Sequence, residues 1–128
     1  VEELKLEDRV SFNEYNKDIY SVINEYDVGI NYSVEEGFGR VTIEYMAAGV
    51  VPIVTSNGAS KEIVQNEISG FVVDRNNEEQ LGKAISELFN REKYNWMSKN
   101  AWQRADFFSM ERHAANMHNL FDEEIKKC

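Results

Sequence analysis

Apolar positions along the chain fall into short runs, separated by stretches in which they recur every three or four residues. Residues 9–13 (RVSFN) alternate apolar and polar, the pattern of a short half-buried strand. Asn16 is placed to cap a helix in which Ile19, Val22, Ile23 and Tyr26 share helical spacing. Residues 27–32 (DVGINY) predict a buried strand. A glycine turn follows, then a helix from about Arg40 to Ala48 that Gly49 closes. Residues 51–55 (VPIVT) predict another buried strand, with Pro52 near its start, where a missing N–H does least harm. SNGAS reads as a loop, KEIVQN as a short helical turn, and FVVD (71–74) as a fourth strand introduced by Gly70. Asn77 with Gln80 makes a capping-box pattern ahead of Leu81, Ala84, Ile85 and Leu88. From about Arg91 the chain reads as helix, interrupted near Phe107–Phe108, with Ser109 capping the last segment.

Short, nearly all-apolar strands alternating with helices predict the α/β class: a Rossmann-like parallel sheet with helices on both faces, three layers in all. Ligands of such sheets bind beyond the carboxyl ends of the strands. The turn EEGFGR (35–40) falls at one of those ends.

Composition narrows the partners. The 128 residues suffice for one domain with a real core, and 42% hydrophobic with 12% aromatic residues is a folded composition. The formal net charge of −9 repels nucleic-acid backbones and anionic membrane surfaces, so neither is expected as a partner. Cys128 is the only cysteine, which excludes an intrachain disulfide and a cysteine-based metal site and fits a reducing compartment. No apolar stretch approaches the roughly 20 residues that span a bilayer, and no signal-peptide pattern opens the chain. The first residue is Val1, so a piece of a longer protein is expected.

The chemistry centres on the turn. Gly37 and Gly39 allow positive φ angles and close approach of a ligand to backbone. The N–H groups that open the following helix, around Phe38 to Val41, lack intrahelical acceptors and suit a phosphate or hydroxyl oxygen. Glu44, about one turn into the helix, suits a vicinal diol such as that of a ribose, through charge-assisted bonds. Glu36 precedes it by eight positions. A structural reading stands beside this one, because an acidic residue near a helix N-terminus is favourable in itself. Glu79 and Glu87 show the same spacing on an amphipathic helix, where a solvated face is the simpler reading.

Residues 33–73 as a series resemble the C-terminal, donor-binding domain of family-4 (group 1) glycosyltransferases. The resemblance rests on EGFG, a second glutamate eight residues after the first, MAAG, a proline before a valine-rich strand, EIV, and a glycine before FVV. DRVSF upstream and FSMER downstream also look like family segments, so nearly the whole chain is covered. The resemblance implies a two-domain GT-B architecture of which this chain is the C-terminal half, incomplete on its N-terminal side. Residues 1–108 would form a partial Rossmann-like nucleotide-sugar-binding domain, and 109–128 a C-terminal helix packing on it. It implies a retaining transferase that moves a sugar from a nucleotide diphosphate sugar to an acceptor, in glycan or polysaccharide synthesis. Glu36 matches the glutamate near the reacting sugar, and Glu44 the one that holds the ribose hydroxyls. Gly37, Phe38, Gly39 and Arg40 match the turn that contacts the sugar or diphosphate. No metal or other cofactor is implied.

The acceptor, a sugar or lipid-linked glycan, would bind through an N-terminal domain absent from this sequence. The family's diphosphate-binding Arg and Lys also belong to a segment not contained here, so the chain alone is expected to be inactive. A cytoplasmic location is implied, and the inner face of a membrane is compatible with it. Tyr45 stands where the family commonly has alanine. With the acidic surface, it supports a second reading as a non-catalytic Rossmann-like binding or assembly module. His113 and His118 are five apart on the last helix, which is not metal-ligand spacing. Trp96, Trp102, Tyr94 and Met97 read as helix packing, and Met110, Ala114, Met117 and Phe121 as an apolar stripe.

Overall fold

The computed structural model describes residues 2–34, 37–112 and 115–116. Three parallel strands form the sheet: β1 (Val28–Asn31), β2 (Val51–Thr55) and β3 (Phe71–Val73), in the order β1-β2-β3. Val28 pairs with Val51 and Asn31 with Val54, while Ile53 pairs with Phe71 and Thr55 with Val73. The helices are α1 (Ile19–Ile23), α2 (Arg40–Ala47), α3 (Ser60–Ile63), α4 (Glu78–Glu87) and α5 (Arg91–Asp106).

β2 lies in the middle, and all five of its residues are buried, as a strand covered on both faces requires. Its side chains alternate between two cores. Val51 and Ile53 join Phe71, Val73, Ala84, Leu88 and Met97 on the face covered by α4. Val54 joins Met46, Ile63, Val64, Ala101 and Ala105 on the face covered by α2 and α3. α5 contributes to both, with Met97 in the first cluster and Ala101 and Ala105 in the second. Helices on both faces of a parallel sheet make the expected three-layer, Rossmann-like α/β arrangement.

Pro52 sits in this central strand opposite Gly29. Val51 donates its N–H to the Asp27 carbonyl on the β1 side, so alternation turns the proline nitrogen toward β3. Pairing with β3 starts only at Ile53, and the missing N–H therefore costs no ladder bond.

The expected strand at residues 9–13 is absent: these residues are irregular and exposed. Alternation says which side chains would be buried, but a strand needs an edge to pair with, and the outer edge of β1 is unpaired among the described residues. The first helix begins later than expected. Asn16 Oδ1 accepts from the Asp18 amide at 2.9 Å, and Asp18 in turn caps α1 by accepting from the Ser21 amide at 3.2 Å. Asn77 caps α4 as expected, accepting from the Gln80 amide at 3.0 Å. Gln80 completes no reciprocal box, because its Oε1 accepts instead from the Asp74 amide at 2.6 Å. After Phe107–Phe108, Ser109 Oγ accepts from the Arg112 amide at 3.3 Å and residues 110–112 are helical. His113, Ala114, Met117, His118, Phe121 and Cys128 lie outside the described residues, with most of the expected C-terminal helix. No helix among the described residues is long and apolar enough to cross a membrane.

Candidate functional site

The three strands end together, at Asn31, Thr55 and Val73, and the loops that leave them are tied to one another. Buried Thr55 donates its Oγ1 hydrogen to the Ser33 carbonyl at 2.8 Å, and Asn57 Nδ2 donates to the Val34 carbonyl at 3.0 Å. The Asn76 amide donates to the Tyr32 hydroxyl at 2.6 Å. Asn31 Nδ2 donates to Thr42 Oγ1 at 3.4 Å, linking the end of β1 to the first turn of α2. These bonds join the segment after β1 to the loops after β2 and β3 and to α2.

Gly39 is the N-cap of α2 and lies in the left-handed region, at φ 73° and ψ 34°. A residue with a Cβ pays a steric cost there, which is the local reason for glycine. The cap has no side chain to occupy the Arg40 and Val41 N–H groups at the positive end of the helix, while the Thr42 amide donates to the Gly39 carbonyl at 3.0 Å. Gly37 lies two positions before the cap and is exposed. Its distinction is space: an added Cβ would meet nothing within 4 Å. Phe38 projects outward and is 67% exposed. Arg40 is exposed and Glu44 half-buried one turn into α2. Glu36 lies outside the described residues. The structure thus brings Gly37, Phe38, Gly39, Arg40 and Glu44 together at the carboxyl end of β1.

Beside the turn is an open depression of about 810 Å³, lined by Val34, Gly37, Ser56, Asn57, Gly58, Lys61 and Arg75. Gly37 is the residue that the turn and the depression share. The sequence reading did not single out Lys61 or Arg75. The signal was their placement, six residues after the end of β2 and two after the end of β3. Among the described residues no group of three or more metal-ligating side chains comes together.

Tyr45 is explained by packing. A Cβ added to Gly29 would sit 2.4–2.7 Å from carbons of the Tyr45 ring, so the ring occupies space that glycine leaves open on β1. Burial raises the Tyr45 hydroxyl above its ordinary pKa, and the neighbouring Glu44 carboxylate adds to the shift. Glu87 is held below the usual carboxylate range by its hydrogen bond to Lys93, so this member of the second glutamate pair has a structural partner. Of the residues read as helix packing, Met97 is fully buried, while Trp96 and Trp102 are 51% and 61% exposed.

A parallel sheet with a glycine-capped helix at its carboxyl end defines a class of Rossmann-like ligand-binding domains, and likeness to known proteins narrows it. The family model of group 1 glycosyl transferases matches residues 1–104, and the chain belongs to that family. It is 35% identical over 128 residues to a GDP-Man:Man(3)GlcNAc(2)-PP-Dol alpha-1,2-mannosyltransferase of Dictyostelium discoideum, covering 97% of this chain and 24% of that protein. It is 37% identical over 92 residues to the putative glycosyltransferase YtcC of Bacillus subtilis (strain 168), covering 70% of this chain and 23% of the relative. Among solved structures, a glycosyltransferase of Rickettsia africae superposes with a TM-score of 0.85 at 25% identity, over 99% of this chain and 35% of that one. Anabaena HepE in complex with UDP superposes with a TM-score of 0.83 at 24% identity, over the same shares of the two chains. The chain spans about a quarter of the length of these two curated relatives.

Proposed function

We propose that the protein is a retaining glycosyltransferase and that this chain is the donor side of its active site. The donor is a nucleotide diphosphate sugar, and the product belongs to glycan or polysaccharide synthesis. The observation that carries the reading is the turn itself. Gly39 caps α2 beyond the carboxyl end of β1 without a side chain, and Glu44 stands one turn further in. HepE, which shares the fold, has been solved with UDP and with UDP-glucose, and the Dictyostelium relative is named for GDP-mannose. Both are nucleoside diphosphate chemistry, which the chain's site suits.

On this reading the opening amides of α2 take donor oxygens, and Glu44 accepts hydrogen bonds from the ribose diol. Gly37, Phe38 and Arg40 bound the sugar. Glu36 orients the donor sugar and supports the positive charge that develops at its anomeric carbon as the diphosphate leaves. Charge developing in the transition state is where fixed electrostatics lower the barrier most. The acceptor site and further cations for the diphosphate belong to other parts of the protein, so the 128-residue chain alone turns over no donor.

The test is sugar transfer by the full-length protein. Glu36→Ala should lower kcat by roughly two to three orders of magnitude, the usual cost of a lost transition-state contact. Glu44→Gln should instead raise the donor Kd roughly tenfold, the cost of one charge-assisted hydrogen bond made neutral. Undiminished transfer by Glu36→Ala refutes the catalytic role. A protein that binds no nucleotide sugar at all is the interaction module of the second reading.

A further inference from the structure

The depression beside the turn contains two cations that the donor reading leaves unused. Lys61 lines it from α3, which follows β2, and Arg75 from the loop after β3. Both are exposed, and neither makes an ion pair with another described residue. In a chain of formal net charge −9, two cations that pair with no described carboxylate line one depression. Each has a carboxylate beside it in sequence, Glu62 next to Lys61 and Asp74 next to Arg75, and Asp74 Oδ1 accepts from Ser56 Oγ at 3.4 Å. The backbone around them is anchored, because Gln80 Oε1 holds the Asp74 amide and the Tyr32 hydroxyl holds the Asn76 amide on either side of Arg75. The lining includes Gly37 but no residue of α2, so the depression adjoins the helix opening and is separate from it.

We infer that Lys61 and Arg75 bind an anionic group, phosphate or carboxylate, that a reactant carries beyond the donor diphosphate. Arg75 supplies a planar fork suited to two oxygens of such a group, and Lys61 a point charge. The inference rests on the turn being the donor site. The group has two sources: an acidic sugar on the donor, or a phosphorylated or carboxylated acceptor.

Calorimetric titration of the full-length protein separates them. The first arm uses UDP or GDP, whichever the wild-type protein binds, and compares its neutral hexose conjugate with its uronate conjugate. The second adds inorganic phosphate to protein saturated with that nucleoside diphosphate. Each arm is repeated with Lys61→Ala, Arg75→Ala and the double variant. An acidic donor sugar gives a uronate preference of roughly tenfold that the double variant loses. An acidic acceptor gives phosphate binding to the saturated protein that the double variant weakens by roughly tenfold or more. Arg75→Lys keeps the charge but not the fork, and should restore only part of either effect. The inference is overturned if neither anion binds preferentially, or if the variants weaken the nucleoside diphosphate itself as much as the anion. Failure of both UDP and GDP to bind wild-type protein sinks the donor reading instead, which is a different result.

Discussion

Gly29 and Tyr45 show how much a single missing methyl group decides. The Tyr45 ring lies where a Gly29 Cβ would be, 2.4 Å from its nearest ring carbon. Gly29→Ala should therefore destabilise the protein by about 1–3 kcal/mol, the range for an overpacked core. Tyr45→Ala removes the obstacle, so the double variant should lose less than the sum of the two singles. Urea denaturation of the four proteins checks this, with the midpoint moving and the slope held. Additive losses would mean that the ring moves aside at little cost. In sequence Gly29 is simply a glycine in a strand, and Tyr45 stands out only as a departure from the family's alanine. Their complementarity exists only where α2 lies across β1.

At the scale of elements, α5 holds α3 against the sheet through one side chain. Arg104 Nε donates to the Ile63 carbonyl at 3.1 Å and its Nη2 to the Glu62 carbonyl at 2.8 Å, satisfying the open C-terminal end of α3. Its guanidinium also stands 4.8 Å and 5.0 Å from the ring centroids of Phe107 and Phe108. Arg104→Ala strips both carbonyls of their partner and should cost about 1–3 kcal/mol. Arg104→Lys should recover less than half of that loss, because an ammonium cannot span two carbonyls and stack as well. Thermal unfolding reads both, and full recovery by lysine would reduce the role to charge. α2 and α4 were legible from helical spacing with a glycine or asparagine cap, and α5 as a helix from about Arg91. The strand expected at residues 9–13 was not found, because its pattern describes a face and says nothing of a neighbouring edge.

For the whole molecule, charge and site pull in opposite directions. The net charge of −9 predicts no association with duplex DNA even at low salt, where electrostatic attraction is least screened. Fluorescence anisotropy of a labelled duplex should stay flat across a protein titration, and a salt-dependent rise would contradict the reading. Anion binding at Lys61 and Arg75 must act against that field, so it depends on local geometry. The outer edge of β1, with Ile30 43% exposed, is the open side of the sheet among the described residues.

Local sequence was enough for the alternation of strands and helices, the buried middle strand, and a glycine turn followed by a helix bearing Glu44. Each of these depends on side-chain periodicity or on a backbone conformation that few residues tolerate, and both are written within a few consecutive positions. Tertiary structure alone decided that Lys61 and Arg75 line one depression with Gly37, that Tyr45 rests on Gly29, and that Arg104 closes α3. Such pairings join residues 14 to 42 positions apart, and nothing in a local pattern encodes which distant segments a parallel sheet will bring to the same end.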